Sequence, residues 1–577
     1  MKTTMEEYPL YTVPEIRQFQ DILLNGLHEH PDRIALADLN PTPIQQVTYA
    51  QLFENVLRFG AALKQMGIRE RDHVAVIAEN RVQWGIAYLA ITTFNCVAVP
   101  IDRNLQENEI LTILHASDAR AAVFSESYRD MFESFLHDVK GLEFLVDMDI
   151  TAVRGAVRSM KAMIEGVEPT MEASAFPKVD PEALSILVFT SGSMGRAKGV
   201  MLSQRNISTN LRAMLQMLEI LKEDRFLSVL PMHHTYECTC GFLCPLVQGA
   251  SAHYARSLKT VAEDMRSVKP TILLGVPLLF DKMYRRIMQA ISEKKLTAAI
   301  IRPLQAITGM LERAGVSGVR RKVFSEVHAQ FGGAIRILIA GGAAPDVEVS
   351  RGFRALGFSF LQGYGLTETS PILALNRLYR FKDEAAGVPL PGVSIRIDDP
   401  DSRGRGEIVV AGDSVMQGYY KNETGTREVL QDGWFRTGDF GYVDEDGFLH
   451  INGRKKNVII ARNGENVFPE EMEDEVNRIP AVLECVVYGK KGEDGDERIA
   501  VMIVPDANVV YEHAEKAAKD VTPEYVQELL QNELRALNSR LPAHKQIRDV
   551  VVRETEFEKT TTQKIKRYLV NSEDSTH

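Results

Sequence analysis

Six short apolar runs constrain this chain more than any other feature. HVAVIAE, RAAVFSE, SILVFTS, RFLSVLPM, TILLGVP and IRILIAGG recur between His73 and Gly342. Runs of this kind suit strands buried on both faces. Helical patterns lie between them. TYAQLFENVLRFGAALKQMG, for example, carries apolar residues at helical spacing and ends at a glycine. Strands alternating with helices predict an α/β fold with largely parallel sheets. Such sheets bind ligands at the carboxyl ends of their strands.

Composition changes near Gly404, where Gly, Asp and aromatic residues become frequent and EDG signals a hairpin. A compact pattern of strands and helices resumes after Arg454 (NVII, ECVVYG, IAVMIV), followed by a helical stretch from Thr522 to Arg540. The reading is a large multi-subdomain N-terminal domain over 1–453, a small α+β domain over 454–570, and a disordered tail, NSEDSTH, over 571–577. Trp84–Ile101 is eighteen residues without a charge. Its Thr, Asn and Pro residues and its β-branched end predict a buried helix and then a buried strand, not a membrane span. MKTTMEEYPL lacks the apolar core of a signal peptide. The formal charge of -11 argues against bulk nucleic-acid binding. Five scattered cysteines suit a reducing compartment better than a disulfide framework.

One loop carries chemistry. VFTSGSMGRAKGV, Val188–Val200, follows an apolar run and supplies glycines, the hydroxyls of Thr190, Ser191 and Ser193, and the charges of Arg196 and Lys198. Glycine lets backbone N–H groups approach an anion closely, so the segment suits phosphate oxygens. It is not a Walker A loop. Counted from Gly192, that pattern needs Gly at 197 and Ser or Thr at 199, and the chain has Ala197 and Gly199. Two further segments follow apolar runs. AGGAAP, Ala340–Pro345, leaves room for a flat group against the backbone. QGYGLTETS, Gln362–Ser370, offers Tyr364 for stacking, the Thr367 hydroxyl, and Glu368, a carboxylate of the kind Mg²⁺ takes beside phosphates. TGD, Thr437–Asp439, is read as an acid in a tight turn, able to accept both hydroxyls of a ribose.

Taken together, these segments resemble the AMP-forming adenylating enzymes: acyl-CoA synthetases, adenylation domains of peptide synthetases, and luciferases. FTSGSMGRAKGVMLSQRNI, LPMHHTYE, AGGAAP, QGYGLTETS, WFRTGDFGYVDEDGFLHINGRKKNVII and EKTTTQKIKR carry the likeness, which spans about Tyr49 to Arg567. The resemblance implies that Thr190, Ser191, Gly192, Ser193 and Lys198 line the triphosphate loop. Gly342, Ala343 and Tyr364 pack the adenine. Thr367 contacts the α-phosphate, and Glu368 holds Mg²⁺. Asp439 and Arg454 hold the ribose. Lys456 is the hinge of a mobile C-terminal domain, and His234 and Tyr236 border the acyl pocket. Lys564, Glu368 and Thr190 carry catalysis. The sequence departs from the family pattern at Met194, Ala197 and Gln563, and none of these departures removes a charge.

The activity so implied uses ATP, Mg²⁺ and CoA to convert a carboxylate into an acyl-adenylate and then a thioester. LLGVPLLFDKMY and VHAQFGGAIRILIAGGAAP most resemble the long-chain fatty acyl-CoA synthetases. Medium-chain and aryl acids stay open as substrates, and acyl carrier protein as acceptor. A second class also stays open, a nucleotide-binding scaffold without catalysis. The oligomeric state is open too, a homodimer included. HHTYECTCGFLC brings two His, one Glu and three Cys together, but Cys-x-Cys-x3-Cys is not a zinc-finger or ribbon spacing. Lys282–Lys322 holds ten basic and two acidic residues with apolar residues interspersed. A basic amphipathic hairpin there would lie on an anionic membrane. The expected location is the cytoplasm, with peripheral contact at the inner face of the membrane through 282–322.

Overall fold

The computed structural model describes residues 9–190, 197–292, 295–316, 318–461, 465–491, 497–560, 565–567 and 569–570. By backbone packing the chain divides into two compact units: Met1–Ser394 with Val410–Phe435, and Ile395–Val409 with Arg436–His577. The tail 571–577 lies outside the described residues.

The large unit is built on two sheets, one of nine strands and one of eight. All six apolar runs form strands in them. His73–Ile77, Ala119–Phe124 and Leu184–Thr190 belong to the eight-stranded sheet; Arg225–Ser228, Ile272–Gly275 and Ile337–Ala340 belong to the nine-stranded one. Their pairing is parallel, as continuous burial on both faces predicts, except that Leu184–Thr190 pairs parallel on one side only. The helix Tyr49–Met66 starts on a capping box between Thr48 and Gln51 and stops at Gly67, whose φ of 114 suits glycine. The charge-free stretch divides as expected. The helix Val82–Thr93 is buried along its length, Asn95 turns the chain at φ 62, and the strand Val97–Pro100 enters the sheet. That helix packs on strands of both sheets, so every face of it meets apolar partners and none needs charge. No helix among the described residues is long and apolar enough to cross a membrane.

The loop after Leu184–Thr190 does not lead into a helix. It turns back into the strand Lys198–Ser203, which pairs antiparallel with the first and sets Thr190 opposite Lys198. The return strand then pairs with Gly418–Tyr419, which brings a distant segment to the same edge.

The small unit contains the predicted hairpin. Trp434–Val443 pairs antiparallel with Leu449–Arg454 around the turn at Asp444–Gly447. Beyond it a three-stranded sheet of Val482–Lys491, Glu497–Pro505 and Asp549–Val552 carries helices Pro469–Asn477 and Pro523–Asn538. Val487, Val501, Ile503, Leu530 and Leu534 fill the core between them.

The basic segment forms helices Pro277–Ser292, Lys295–Arg313 and Val319–Val323. Arg285 pairs with Asp281 at 3.0 Å and Arg320 with Glu312 at 3.3 Å. Ile307, Met310 and Leu311 are exposed, and their i, i+3, i+4 spacing places them on one helix face.

Candidate active site

In the large unit, four of the segments singled out in the sequence meet where strands end. Lys198 begins the return strand, and its Nζ lies 4.6 Å from the centroid of the Tyr419 ring. The Tyr419 hydroxyl donates to Glu368 Oε1 at 3.0 Å. One buried tyrosine thus joins the lysine of VFTSGSMGRAKGV to the carboxylate of QGYGLTETS. The cation over the ring is worth about 0.5–2 kcal/mol, and a hydrogen bond to a charged acceptor about 1.5–3 kcal/mol. The sequence reading did not find Tyr419. It lies in a two-residue strand whose pairing with Val200 is not local, so no spacing signal announces it.

Glu368 sits in the tight turn Thr367–Thr369 after the strand Ser359–Gly365. That strand runs through Tyr364, so Tyr364 lies within the sheet edge and not in the loop beyond it. The turn is tied from several sides. Leu366 N donates to Thr369 Oγ1 at 3.0 Å, Met416 N donates to the Glu368 carbonyl at 2.8 Å, and Ser370 Oγ donates to the Ser414 carbonyl at 2.8 Å. A Cβ on Gly365 would fall 1.8 Å from the Pro371 carbonyl oxygen, so only glycine admits this approach. A rigid turn holds the carboxylate in place before any ligand arrives. The side-chain donors near it are oxygens: the Glu368 carboxylate, the Tyr419 hydroxyl, and the hydroxyls of Thr367 and Thr235. An all-oxygen set fits Mg²⁺ and not a thiophilic ion.

LPMHHTYE follows the strand Arg225–Ser228 and reaches the same place. Thr235 Oγ1 lies 3.5 Å from Thr367 Oγ1. Tyr236 packs on AGGAAP: a Cβ on Gly341 would sit 2.6 Å from the Tyr236 ring, and the Tyr236 hydroxyl donates to the Ile339 carbonyl at 3.3 Å. Gly342 takes φ 86, a Cβ on it would meet only Val276 at 3.8 Å, and Gly342 and Ala343 are exposed. These small residues form an open shelf beyond the strand Ile337–Ala340. His234 is half-buried beside His233, with ring centroids 4.2 Å apart. Glu237 is buried at the start of a wide helical turn, Glu237–Leu243, where Gly241 leaves room for its carboxyl group. Burial pushes its pKa up to about 8, and the Ser228 hydroxyl offsets this only in part.

The remaining named residues belong to the small unit. Asp439 is not in a turn: it lies inside the strand Trp434–Val443, directly across the hairpin from Arg454. Arg454 Nε meets Asp439 Oδ1 at 2.9 Å, and Asp439 N donates to Thr437 Oγ1 at 3.0 Å. The aspartate is buried, so the guanidinium offsets part of its desolvation. Gly438 beside it takes φ 71, a kink that breaks the regular strand. Lys456 lies in the single turn Lys455–Asn457 right after the hairpin. Partial burial, with Arg454 and Arg567 nearby, holds its ammonium below the ordinary lysine range. Lys559 and Ile565 form an antiparallel bridge, and Arg567 pairs with the half-buried Glu473. Ser191, Gly192, Ser193, Met194, Gln563 and Lys564 lie outside the described residues.

Residues 25–420 match the AMP-binding enzyme family, and residues 456–573 match the AMP-binding enzyme C-terminal domain. The chain belongs to the AMP-binding enzyme family. Among curated relatives of this AMP-binding enzyme, the long-chain-fatty-acid–CoA ligase FadD15 of Mycobacterium bovis is 29% identical over 83% of this chain and 81% of its own. The chloroplastic long-chain-fatty-acid–[acyl-carrier-protein] ligase AEE15 of Arabidopsis thaliana is 26% identical over 96% of this chain and 85% of its own. Among solved structures, the anthranilate CoA ligase AuaEII with anthranoyl-AMP aligns with a TM-score of 0.76 at 20% identity, over 99% of this chain and 98% of that one. That likeness establishes the shared fold.

Proposed function

We propose that this AMP-binding enzyme is an AMP-forming acid–thiol ligase acting on a fatty acid of long chain. In the first step a carboxylate oxygen attacks the α-phosphorus of ATP. The bond from that phosphorus to the bridging oxygen breaks, and pyrophosphate leaves with the electron pair. In the second step a thiolate attacks the acyl carbon, the bond to the phosphate oxygen breaks, and AMP leaves. The enzyme's part is positioning and charge neutralisation, since two anions must meet in the first step. Thr190, Lys198 and the loop between them hold the phosphates. Gly342, Ala343 and Tyr364 receive the adenine, Thr367 the α-phosphate, and Asp439 with Arg454 the ribose. Glu368 would hold Mg²⁺, which when bound supplies positive charge to the phosphate oxygens. Lys564 bridges the incoming carboxylate and the α-phosphate. Lys456, at the 453/454 boundary, is the hinge, and His234 and Tyr236 border the acyl group.

The observation that carries this reading is the chain Lys198–Tyr419–Glu368, in which a phosphate-loop cation and a metal-type carboxylate share one buried tyrosine. A binding scaffold has no need of Lys564 as well. The relatives named as fatty-acid ligases support the long-chain acid. CoA is the favoured acceptor, and the Arabidopsis relative, a ligase to acyl carrier protein, keeps that carrier as the second reading. Exchange of labelled pyrophosphate into ATP, run with acids from two to eighteen carbons and with aryl acids, tests the proposal. Exchange should rise with long chains. Absence of exchange with every acid would leave the scaffold. The exposed apolar face at Ile307, Met310 and Leu311, near basic residues of 282–322, supports peripheral docking on an anionic membrane, the source of a long-chain acid.

A further inference from the structure

A second cluster of chemically able side chains stands beside the proposed acyl site and shares only His234 with it. Asp102 follows the strand Val97–Pro100 of one sheet, and His233 and His234 follow the strand Arg225–Ser228 of the other. One ligand atom from each of the three lies within 4.8 Å of the others. The loops that bring them together are fixed. Asn80 donates to the Leu230 carbonyl at 2.6 Å and accepts from Met232 N at 3.0 Å, and Asn104 N donates to Asp102 Oδ1 at 2.9 Å.

The geometry does not suit a simple hydrogen bond. His233 Nε2 is buried and has no hydrogen-bond partner among the described residues. It stands 3.4 Å from Asp102 Oδ2, beyond the roughly 2.7–3.2 Å of an N–H···O bond. A buried polar atom left in that state is destabilising. The same separation is what a tetrahedral ion imposes. Ligands at about 2.0–2.1 Å from zinc lie roughly 3.3–3.4 Å from one another.

We propose that Asp102, His233 and His234 form a binding site for a zinc-class divalent cation. Two imidazoles and one carboxylate make a donor set that zinc takes, and a fourth position is then open to water or an anion. The set is separate in kind from the oxygen donors around Glu368, since imidazole is a poor ligand for Mg²⁺. The cysteines of HHTYECTCGFLC take no part: Cys238, Cys240 and Cys244 are buried in and beside the wide helical turn, and Cys240 Sγ packs on Met214 Sδ at 3.5 Å. Sequence spacing already argued against those thiols as a zinc set. The third ligand is instead far away in the chain. A cation here fixes the His234 ring, which the functional reading puts at the acyl pocket, so occupancy should inhibit acid activation. That consequence rests on the proposed function; the binding does not.

Tag-free full-length protein, stripped with a chelator and kept in excess Mg²⁺ without nucleotide, should be titrated with Co²⁺. One equivalent should bind with the visible absorption of a tetrahedral site, and Zn²⁺ should bleach it. Asp102→Asn and His233→Gln should each weaken uptake at least tenfold, while Cys240→Ser should not. Nucleotide binding and thermal melting report whether each variant is folded, and the near-isosteric Asp102→Asn carries the test if His233→Gln is not. Absence of tetrahedral uptake in the wild type, or unchanged uptake in folded Asp102→Asn, overturns the site and leaves a plain Asp102–His233 ion pair. Because uptake is read without acid or ATP, its failure leaves the ligase reading standing, and failed pyrophosphate exchange leaves the cation site standing.

Discussion

Tyr419 joins two charges of opposite sign, Lys198 above its ring and Glu368 at its hydroxyl. Tyr419→Phe keeps the ring and removes the hydrogen bond to the carboxylate. A bond of this type is worth about 1.5–3 kcal/mol, so kcat/KM for MgATP in pyrophosphate exchange should fall roughly ten- to a hundredfold. Tyr419→Ala should fall further, because Lys198 loses its support. Equal activity of wild type and Tyr419→Phe would remove the hydroxyl from the mechanism. Glu237 gives a second prediction at this scale, one of stability. Its carboxyl group is buried near Ser228 and Tyr254, and its pKa in the fold is raised from 4.5 to about 8. The folded state therefore holds the proton more tightly than the unfolded state. Stability from this group is complete below about pH 4.5 and is lost as pH rises through about 8. Glu237→Gln stays neutral, so it should melt higher than wild type above pH 8, by on the order of a few kcal/mol, and the gain should vanish in acid. A melting difference that does not change with pH would contradict this. Lys198 and Glu368 were legible in sequence because each sits in a dense local motif. Tyr419 and Asp102 were not, since long-range pairing and loop convergence give them their roles.

At the scale of elements, the six buried strands were legible because a strand covered on both faces must be apolar throughout, and that leaves a direct trace in sequence. Two elements were read differently. The strand Lys198–Ser203 returns along its neighbour, where the sequence shows only the end of a loop. Asp439 lies within a strand because Arg454, opposite it, offsets its burial; local residue types suggested a turn instead. The helix Lys295–Arg313 carries the prediction here. Its Ile307 and Met310 are 51% and 61% exposed, and basic residues flank it in the chain. Each basic residue near an anionic surface contributes about 1 kcal/mol, less in high salt. The protein should sediment with anionic vesicles and not with neutral ones, and added salt should release it. Reversing Arg285, Arg286, Lys294 and Lys295 to Glu should weaken binding, as should Ile307→Ser with Met310→Ser. Exchange with dispersed short acids should stay unchanged. Equal sedimentation of wild type and both variants would remove the membrane from the account.

For the whole molecule, each compact unit holds part of the proposed chemistry. The large unit carries the phosphate, metal and acyl groups, and the small unit carries Asp439, Arg454, Lys456 and Lys564. Composition changes near Gly404 because short hairpins need Gly and Asp where buried parallel strands need Val and Ile, and the sequence reading sets the domain boundary later, at 453/454. This division bears on how the two steps are shared. Adenylation needs positive charge between two anions, and in the proposed function Lys564 would supply it. Thiol attack needs the same acyl carbon open, and a lysine held there would obstruct the thiol. Lys564 should therefore serve the first step and not the second. Lys564→Ala should lower acid-dependent pyrophosphate exchange by about a thousandfold or more, the scale of a lost charge in transition-state stabilisation. Its rate of thioester formation from acyl-adenylate supplied in preformed state should stay within a few-fold of wild type. Lys198→Ala gives the contrast, since phosphate binding helps to hold AMP in both steps and both should decline. If Lys564→Ala slows both half-reactions equally, the lysine is supporting the fold of the small unit, and its place in the chemistry must be given up.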